Sequence, residues 1–188
     1  KLNEADTCEV ESEGEEPGEM NWPHGVRISW SFPKRGDMVP CIMRWSSGTY
    51  NDKPMPPTVD PERVASVAKH PSAYFGTKGT AVSGWWMNDT RLFPESFMQQ
   101  IGRPKAVLPR VPAGHEADFL NAIRTGGRSS ADFDYSARLT EIMLVGNIAS
   151  RVREKLAYDF RTGKFTNSDK ANALLKREPR KGWEFGYE

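Results

Sequence analysis

The stretch that most constrains the fold runs from Ala137 to Phe160, "ARLTEIMLVGNIASRVREKLAYDF". Its middle, Ile142 to Ala149, is apolar almost all the way round a helical wheel, whereas a surface helix of a small domain keeps one polar side. The pattern therefore predicts a helix covered on both sides. We place this helix from Asp134, a good N-cap, to about Lys155. Gly146, which costs about 1 kcal/mol relative to Ala inside a helix, indicates the close approach of another backbone.

The first part of the chain has the period of two that half-buried strands show. In "VRISWSFP" the residues Val26, Ile28, Trp30 and Phe32 fall on one face of a predicted strand, and Arg27, Ser29 and Ser31 fall on the other. "CIMRWSSG" predicts a second strand antiparallel to the first, with Cys41, Met43 and Trp45 on one side. "AYFGTKGTAVSGWW" predicts a hairpin that turns at Thr77 and Lys78. These strands favour a largely antiparallel sheet.

Helical signals come later in the sequence. "HEADFLNAIRTGG" predicts a helix that stops at Gly126 and Gly127. "LAYDFRTGKFT" predicts a last strand and turn, and "NSDKANALLKRE" a short capped helix. Strands followed by helices indicate the α+β class: an open-faced mixed, largely antiparallel sheet with helices packed on one face. The other face of such a sheet stays bare unless a partner covers it.

Length and charge limit the possible partners. We expect one domain over residues 1–188, with residues 1–20 forming an acidic arm or edge strand and residues 51–61 a Pro-rich loop. The net charge is +1, with −7 on residues 1–20, so there is no general attraction to nucleic acid or membrane surfaces. The longest apolar run is far short of the roughly 18 to 20 residues of a bilayer helix. The sequence predicts a soluble protein, cytoplasmic or periplasmic, with no nucleic-acid or membrane partner.

Motifs with a recognisable chemistry are absent from the sequence. The histidines form no HxxxH pair, there is no GxSxG, and the glycines of "GTKGTAVSG" match neither GxGxxG nor a Walker sequence. Asp132 and Asp134 are explained as caps of the long helix. Cys8 and Cys41 lack metal or redox spacing, so we expect buried free thiols, with one disulfide as the alternative in an oxidising compartment. The sequence predicts no metal site and no catalytic residue.

Aromatic residues are the best candidates for ligand contact. Trp30 and Trp45 fit the core face of strands, whereas the tryptophans of "NWPHG" and "GWW" fall in loops, where an indole can hold a sugar ring. We predict a substrate-binding set of Trp22, His24 and Arg27 at the start of the first clear strand. The alternative for Arg27 is a solvated position on the polar face of that strand.

Several motifs in order resemble a known family. "FPKRGDMVPCIMRWSSG", a Pro-rich loop, "AYFGTKGTAV", "LFP" and "DYSARLTEIMLVGNIASRV" are similar to the C-terminal substrate domain of the Gfo/Idh/MocA oxidoreductases, and most similar to a bacterial branch that acts on sugars. The resemblance covers Val26 to Trp183. It implies a substrate-binding and oligomerisation domain of an NAD(P)-dependent dehydrogenase acting on a sugar or sugar derivative. It also implies a homo-oligomer formed through the open sheet face.

The family's catalytic motifs cannot be transferred to this chain. The GxGxxG of the N-terminal Rossmann domain, the E-K-P motif and the D-x-x-x-H pair are not present, and "DKP" at Asp52 to Pro54 lies in the predicted Pro-rich loop. We therefore expect NAD(P) to bind to a Rossmann domain outside this chain and the chain alone to be inactive. That Rossmann domain, or the helix at 115–125, would cover the second side of the long helix. Two alternatives remain: a stand-alone carbohydrate-binding or assembly module, and part of an NAD-dependent glycoside hydrolase of the same family.

Overall fold

The computed structural model describes residues 2–18, 21–50 and 69–184. The chain forms two compact units, the first made of residues 1–51 and 111–188 and the second of residues 52–110. The predicted Pro-rich loop, with Asp52 to Pro54, lies outside the described residues. The expectation of one domain stays a prediction. Each unit is described by itself.

The described elements include eight strands and four α-helices. In chain order the strands are β1 (Thr7–Gly14), β2 (Val26–Phe32), β3 (Cys41–Ser47), β4 (Ser72–Phe75), β5 (Thr80–Ser83), β6 (Arg91–Phe93), β7 (Leu156–Asp159) and β8 (Lys164–Phe165). The helices are α1 (Glu95–Ile101), α2 (His115–Thr125), α3 (Phe133–Val152) and α4 (Asp169–Asn172). All strand pairs in the described ranges are antiparallel, so the largely antiparallel sheet is confirmed and no parallel pair is seen among these strands.

The first unit contains a five-stranded sheet in the order β3-β2-β1-β7-β8. The alternation predicted for β2 is confirmed, because Val26, Ile28 and Trp30 are each at most 2% exposed and the residues between them are partly exposed. Helix α3 packs on this buried side against β1 and β2. Since the pairing of β2 with β3 sets Ile28 opposite Trp45, the Trp45 side chain lies on the same side as the helix.

The prediction of an acidic arm or edge strand at residues 1–20 is wrong for the residues that form β1. This strand pairs with β2 on one side and β7 on the other, which makes it the central strand of the sheet. Cys8 and Val10 are buried under α3, while Glu9, Glu11 and Glu13 are exposed. Acidic residues alternate with small and apolar ones in this segment. This pattern is typical of a strand that is polar on one face only, although the high charge favoured an exposed arm. We call the sheet face that bears these three glutamates the open face.

Helix α3 begins and ends slightly earlier than predicted. Its N-cap is Asp132, not Asp134, because the Asp132 carboxylate accepts a hydrogen bond from the Tyr135 N–H at 3.1 Å. Arg128 forms ion pairs with both carboxylates, at 2.9 Å from Asp132 and 2.6 Å from Asp134. The helix stops at Val152, since the next residue adopts a left-handed conformation that ends the hydrogen-bond ladder.

The two sides of α3 differ in burial. Ile142, Val145 and Ala149 are at most 2% exposed and pack on the sheet, whereas Met143 and Leu144 are 45% and 54% exposed. The described residues therefore cover one side of the helix, and the predicted cover by α2 is not seen at Leu144.

Helices α2 and α3 do touch through one aromatic pair. The rings of Phe119 and Phe133 lie edge to face with 6.2 Å between their centroids. The boundaries predicted for α2 are confirmed, including the left-handed Gly126 that ends it. The short capped helix is confirmed as well, because the Ser168 hydroxyl accepts from the Ala171 N–H at the start of α4.

The second unit contains a three-stranded sheet in the order β4-β5-β6, followed by α1. The predicted hairpin is confirmed: Phe75 pairs with Thr80 and Gly76 donates its N–H to the carbonyl oxygen of Gly79. Beyond β5, Trp85 and Trp86 are 75% and 96% exposed. Both indoles project into solvent, from a single 3-10 turn at Trp85–Met87 where the sequence predicted a loop.

The cysteines are free thiols, as predicted, with Cys8 buried and Cys41 partly buried. Burial, and then the nearby charge of Glu141, raise the pKa of Cys8 to about 12. No helix within the described ranges is long and apolar enough to cross a membrane.

Candidate functional site

Three tryptophans line a cavity of about 170 Å³ in the first unit, beside α3 and the edge of the five-stranded sheet. The described residues that line it are Trp22, Ile28, Trp30, Trp45, Met143 and Asn147. Strand β3 is the sheet edge on this side, and α3 packs on β1 and β2. The helix does not cover β3, so a recess forms between this edge strand and the helix. Trp45 lines the recess on the strand side and Met143 lines it on the helix side.

The floor of this tryptophan cavity is fixed by Trp30. Its ring is 1% exposed, and its indole N–H donates to the carbonyl oxygen of Ile142 at 2.9 Å. The ring lies against the backbone of Gly146, where a Cβ atom would overlap the indole. The close approach that the sequence predicted at Gly146 is thus real, but the approaching group is a side chain and not another backbone. An indole held by packing and a hydrogen bond forms a rigid surface.

The walls of the cavity are open to solvent. Trp22 and Trp45 are 38% and 40% exposed, and Asn147 is exposed on α3. Large aromatic side chains that remain accessible around a fixed apolar floor are typical of a small-molecule site. The Asn147 amide adds both donors and an acceptor. The arrangement can hold the apolar face of a ring and orient it by one amide contact.

Met143 and Asn147 reach the cavity together because they are four positions apart on one helix, which places them on one face. Trp45 reaches it through its register with Ile28. The sequence prediction missed all three as site residues. Helix spacing places Met143 and Asn147 on one face, and strand alternation places Trp45 on one side of β3. The sequence does not show which helix face packs beside which strand, so it could not bring the three residues together.

The three residues predicted to bind substrate, Trp22, His24 and Arg27, lie in different environments. Trp22 lines the tryptophan cavity. His24 is exposed, and its backbone N–H donates to the Glu15 carboxylate at 3.1 Å. Arg27 lies on the open face, where its guanidinium donates to Glu13 at 2.7 Å. The structure does not bring the three side chains into one cavity, and their role in substrate binding stays a prediction.

The surroundings of Arg27 are those of a fixed strand residue. Its guanidinium carbon lies 5.4 Å from the centre of the Tyr50 ring, a cation–π distance, and its side chain is 20% exposed. Both contacts hold the side chain against the sheet. The arrangement agrees with the alternative interpretation of Arg27 as a residue of the polar strand face.

The helix N-termini of the described residues do not suit a dinucleotide. A pyrophosphate needs free N–H groups and a positive field at a helix start. The start of α3 carries the Asp132 and Asp134 carboxylates, and the start of α2 carries Glu116 and Asp118. The cap bond from the Tyr135 N–H lowers the pKa of Asp132, which keeps it negative.

Asp118 is negative for a similar reason. Hydrogen bonds from the backbone and hydroxyl of Ser130, both 2.7 Å long, lower the pKa of Asp118. NAD(P) therefore does not fit these helix starts. In the same described ranges, no group of three or more His, Cys, Asp or Glu side chains could hold a metal ion.

Comparison with known families decides the relationship that the sequence motifs suggested. The family described as the oxidoreductase family, C-terminal alpha/beta domain, of the Gfo/Idh/MocA proteins matches residues 88–185, slightly more than half of the chain. The chain belongs to this family. Its resemblance to the C-terminal domain of Gfo/Idh/MocA oxidoreductases is confirmed. No curated protein matches the chain.

The residues that line the cavity lie partly inside and partly outside the range matched by the Gfo/Idh/MocA family. Met143 and Asn147 on α3 fall within the matched residues, whereas the three tryptophans precede residue 88. Strand β1 also precedes the match, yet it pairs with β7 inside it. The sheet of this Gfo/Idh/MocA domain therefore extends beyond the matched residues.

Proposed function

We propose that this chain is the substrate-binding and oligomerisation part of an NAD(P)-dependent oxidoreductase that acts on a sugar or sugar derivative. The observation that carries the proposal is the tryptophan cavity in a chain of the Gfo/Idh/MocA family. Trp22, the first residue of the predicted set, lines this cavity. The sugar would lie between Trp22 and Trp45 over the fixed indole of Trp30.

Indole rings suit a sugar because the C–H groups of a pyranose form an apolar face that packs well on an aromatic surface. The two exposed indoles lose water when the sugar is bound, which provides most of the favourable free energy at a site of this size. Asn147 would donate to and accept from the hydroxyls at the ring edge. Asn147 and Trp45 therefore have separate roles, orientation and stacking.

The cofactor would be bound elsewhere. The described helix starts carry carboxylates, so we place NAD(P) on a Rossmann domain that packs with this one. The cofactor supplies hydride transfer to or from a carbinol carbon of the sugar. The part played by the present chain is to bind and orient that sugar.

The open face would form the oligomer interface. Its exposed glutamates on β1 stand beside basic groups: Arg27 pairs with Glu13 at 2.7 Å, and Lys155 pairs with Glu9 at 2.8 Å. On β3 the same face carries Ile42, which is 61% exposed, and Arg44. Since both charge signs and an apolar residue share this face, it can pair with a second copy related by a two-fold axis.

A binding experiment tests the sugar site. The 188-residue chain is titrated with methyl pyranosides while tryptophan fluorescence and the indole N–H resonances are followed. We expect Trp45→Ala to weaken binding at least tenfold, because stacked aromatic rings dominate such sites. Trp85→Ala is the matched control, since Trp85 is 75% exposed and belongs to the second unit. Equal affinity of the Trp45→Ala variant and the unchanged chain would refute the proposed site.

The cofactor assignment is tested with NADH. Its fluorescence should not change when the chain is added, because the described helix starts repel a pyrophosphate. Tight NADH binding by these 188 residues would contradict the assignment of the cofactor to another domain.

A further inference from the structure

The tryptophan cavity offers few hydrogen bonds for its size. Of its three indole N–H groups, that of Trp30 is used by the carbonyl oxygen of Ile142. Those of Trp22 and Trp45 can donate but cannot accept. Among the six lining side chains, the Asn147 carbonyl oxygen is the strong acceptor, and the Met143 sulfur is a weak one. Among the described lining side chains, one strong acceptor is therefore available to a sugar hydroxyl.

None of the six described lining residues has a charged side chain. A carboxylate or phosphate on the sugar would lose water in the cavity without gaining an opposite charge, which is strongly unfavourable. Sugar acids and sugar phosphates thus fit this lining poorly. The favoured ligand is uncharged and brings an apolar group to the indoles.

A hexopyranose has a hydroxymethyl group whose hydroxyl needs both a donor and an acceptor when it is buried. A methyl group at the same position needs neither and gains from contact with indole and thioether surfaces. The difference is one oxygen atom. The lining described above therefore distinguishes the two sugars in favour of the methyl group.

We propose, on the basis of the sugar site argued above, that the tryptophan cavity selects a 6-deoxy sugar and holds its C5 methyl group against Trp22, Trp45 and Met143. The fixed indole of Trp30 forms the floor under that methyl group. Asn147 pairs with a ring hydroxyl at the open side. The selectivity comes from the apolar contact, because a hydroxymethyl group against Trp22, Trp45 and Met143 would exchange water for side chains that offer its hydroxyl no strong acceptor.

Two matched sugar pairs test the proposal. The first compares methyl 6-deoxyglucoside with methyl glucoside, and the second compares methyl 6-deoxygalactoside with methyl galactoside. We expect the 6-deoxy member of each pair to bind about tenfold more tightly, the size of effect that one group makes in such a pocket. In saturation-transfer NMR, the C6 methyl protons should receive the strongest signal.

Two variants connect the preference to the cavity. Met143→Gln adds an acceptor and donors beside the proposed methyl position, so it should reduce the preference about tenfold. Trp45→Ala should weaken both members of each pair. Trp45 and Met143 are 40% and 45% exposed, so both variants should keep the fold, and circular dichroism checks this. Trp85→Ala again serves as the control.

The possible results separate the two proposals. If no pyranoside binds, the sugar site itself is wrong. If the sugars bind with equal affinity, or the hydroxymethyl member binds more tightly, the sugar site stands and the 6-deoxy preference is wrong. A preference that survives unchanged in Met143→Gln would also overturn the 6-deoxy inference, because it would not arise from this cavity.

Discussion

The indole of Trp30 packs against the backbone of Gly146 and donates its N–H to the carbonyl oxygen of Ile142, one helical turn away, at 2.9 Å. This contact joins β2 to α3 through a glycine that has no side chain to separate them. A ring of this size can lie so close to a helix only where the Cβ atom is missing. The same contact sets the floor of the tryptophan cavity.

The first prediction concerns Gly146→Ala. Alanine is the better helix former by about 1 kcal/mol, but its Cβ would overlap the buried indole of Trp30. We expect a net loss of about 1 to 3 kcal/mol in the free energy of unfolding, as overpacked cores show. Urea denaturation followed by tryptophan fluorescence measures it.

The double variant with Gly146→Ala and Trp30→Phe is the control. Phenylalanine has a smaller ring than tryptophan, so Gly146→Ala should cost less stability when residue 30 is phenylalanine. A Gly146→Ala protein as stable as the unchanged chain would show that the indole can move away at no cost.

The second prediction separates the two sides of α3. Ile142 is 2% exposed and Leu144 is 54% exposed. Ile142→Ala should cost about 2 to 5 kcal/mol, whereas Leu144→Ala should cost less than about 0.5 kcal/mol. The free energy of unfolding of the 188-residue chain is the measurement.

The same pair of variants tests the predicted cover of α3. If a second domain packs on Leu144, Leu144→Ala will weaken its association with this chain and leave the stability of the chain alone unchanged. A large loss of stability in the isolated chain would mean that the outer side is already covered.

The third prediction is a pH dependence at Cys8. Burial raises its pKa from 9.0 to about 12, so the folded state holds the thiol proton more tightly than the unfolded state. The stabilisation is complete below pH 9.0 and is lost as the pH rises toward 12. A single such group lowers the free energy of unfolding by about 1.4 kcal/mol per pH unit in that range.

Burial and the hydrogen bond to Glu141 raise the pKa of Tyr158 above its usual value as well, so this residue adds to the alkaline loss of stability. Cys8→Ala should therefore reduce the slope rather than remove it. An identical slope in Cys8→Ala and the unchanged chain would contradict the assignment.

The fourth prediction concerns the cap of α3. Asp132→Ala should lower Tm because it removes the acceptor of the Tyr135 N–H together with the ion pair to Arg128. Asp132→Asn keeps an acceptor and should restore most of the loss. Asp134→Ala removes only the exposed ion pair with Arg128 and should have a smaller effect than Asp132→Ala.

The cap also predicts an acid dependence. The cap bond lowers the pKa of Asp132 below 3.8, so its stabilisation is present above that pH and is lost on acidification. Thermal melts between pH 2 and 6 measure this, and the Asp132→Asn variant should lack that part of the dependence. Equal Tm values for Asp132→Ala and Asp134→Ala would contradict the prediction, because the cap bond would then contribute no more than the ion pair of Asp134.

The sequence alone predicted the elements whose signals are local. β2, the hairpin of β4 and β5, and helix α2 were all found, because their residues carry the period or the turn chemistry of the element itself. Strand β1 was not recognised as a central strand. Its glutamates suggest an exposed, charged segment. Whether a strand pairs on both edges depends on the neighbouring strands, and the residues of β1 do not reveal it.

Tertiary structure decided which side chains share a cavity. The sequence predicts Trp22 as a site residue, but it places His24 and Arg27 with Trp22 only because the three are close along the chain. The strand alternation of β2 sends Arg27 to the face opposite Ile28, and the register of β3 brings in Trp45.

The same limit applies to Gly146. Its position in an apolar helix showed that something approaches closely, and that much the sequence determined. Only the packed structure identified the approaching group as the Trp30 indole, because contacts between residues more than a hundred positions apart depend on how helix and sheet pack. Local patterns fix the elements, and packing between elements fixes the cavity.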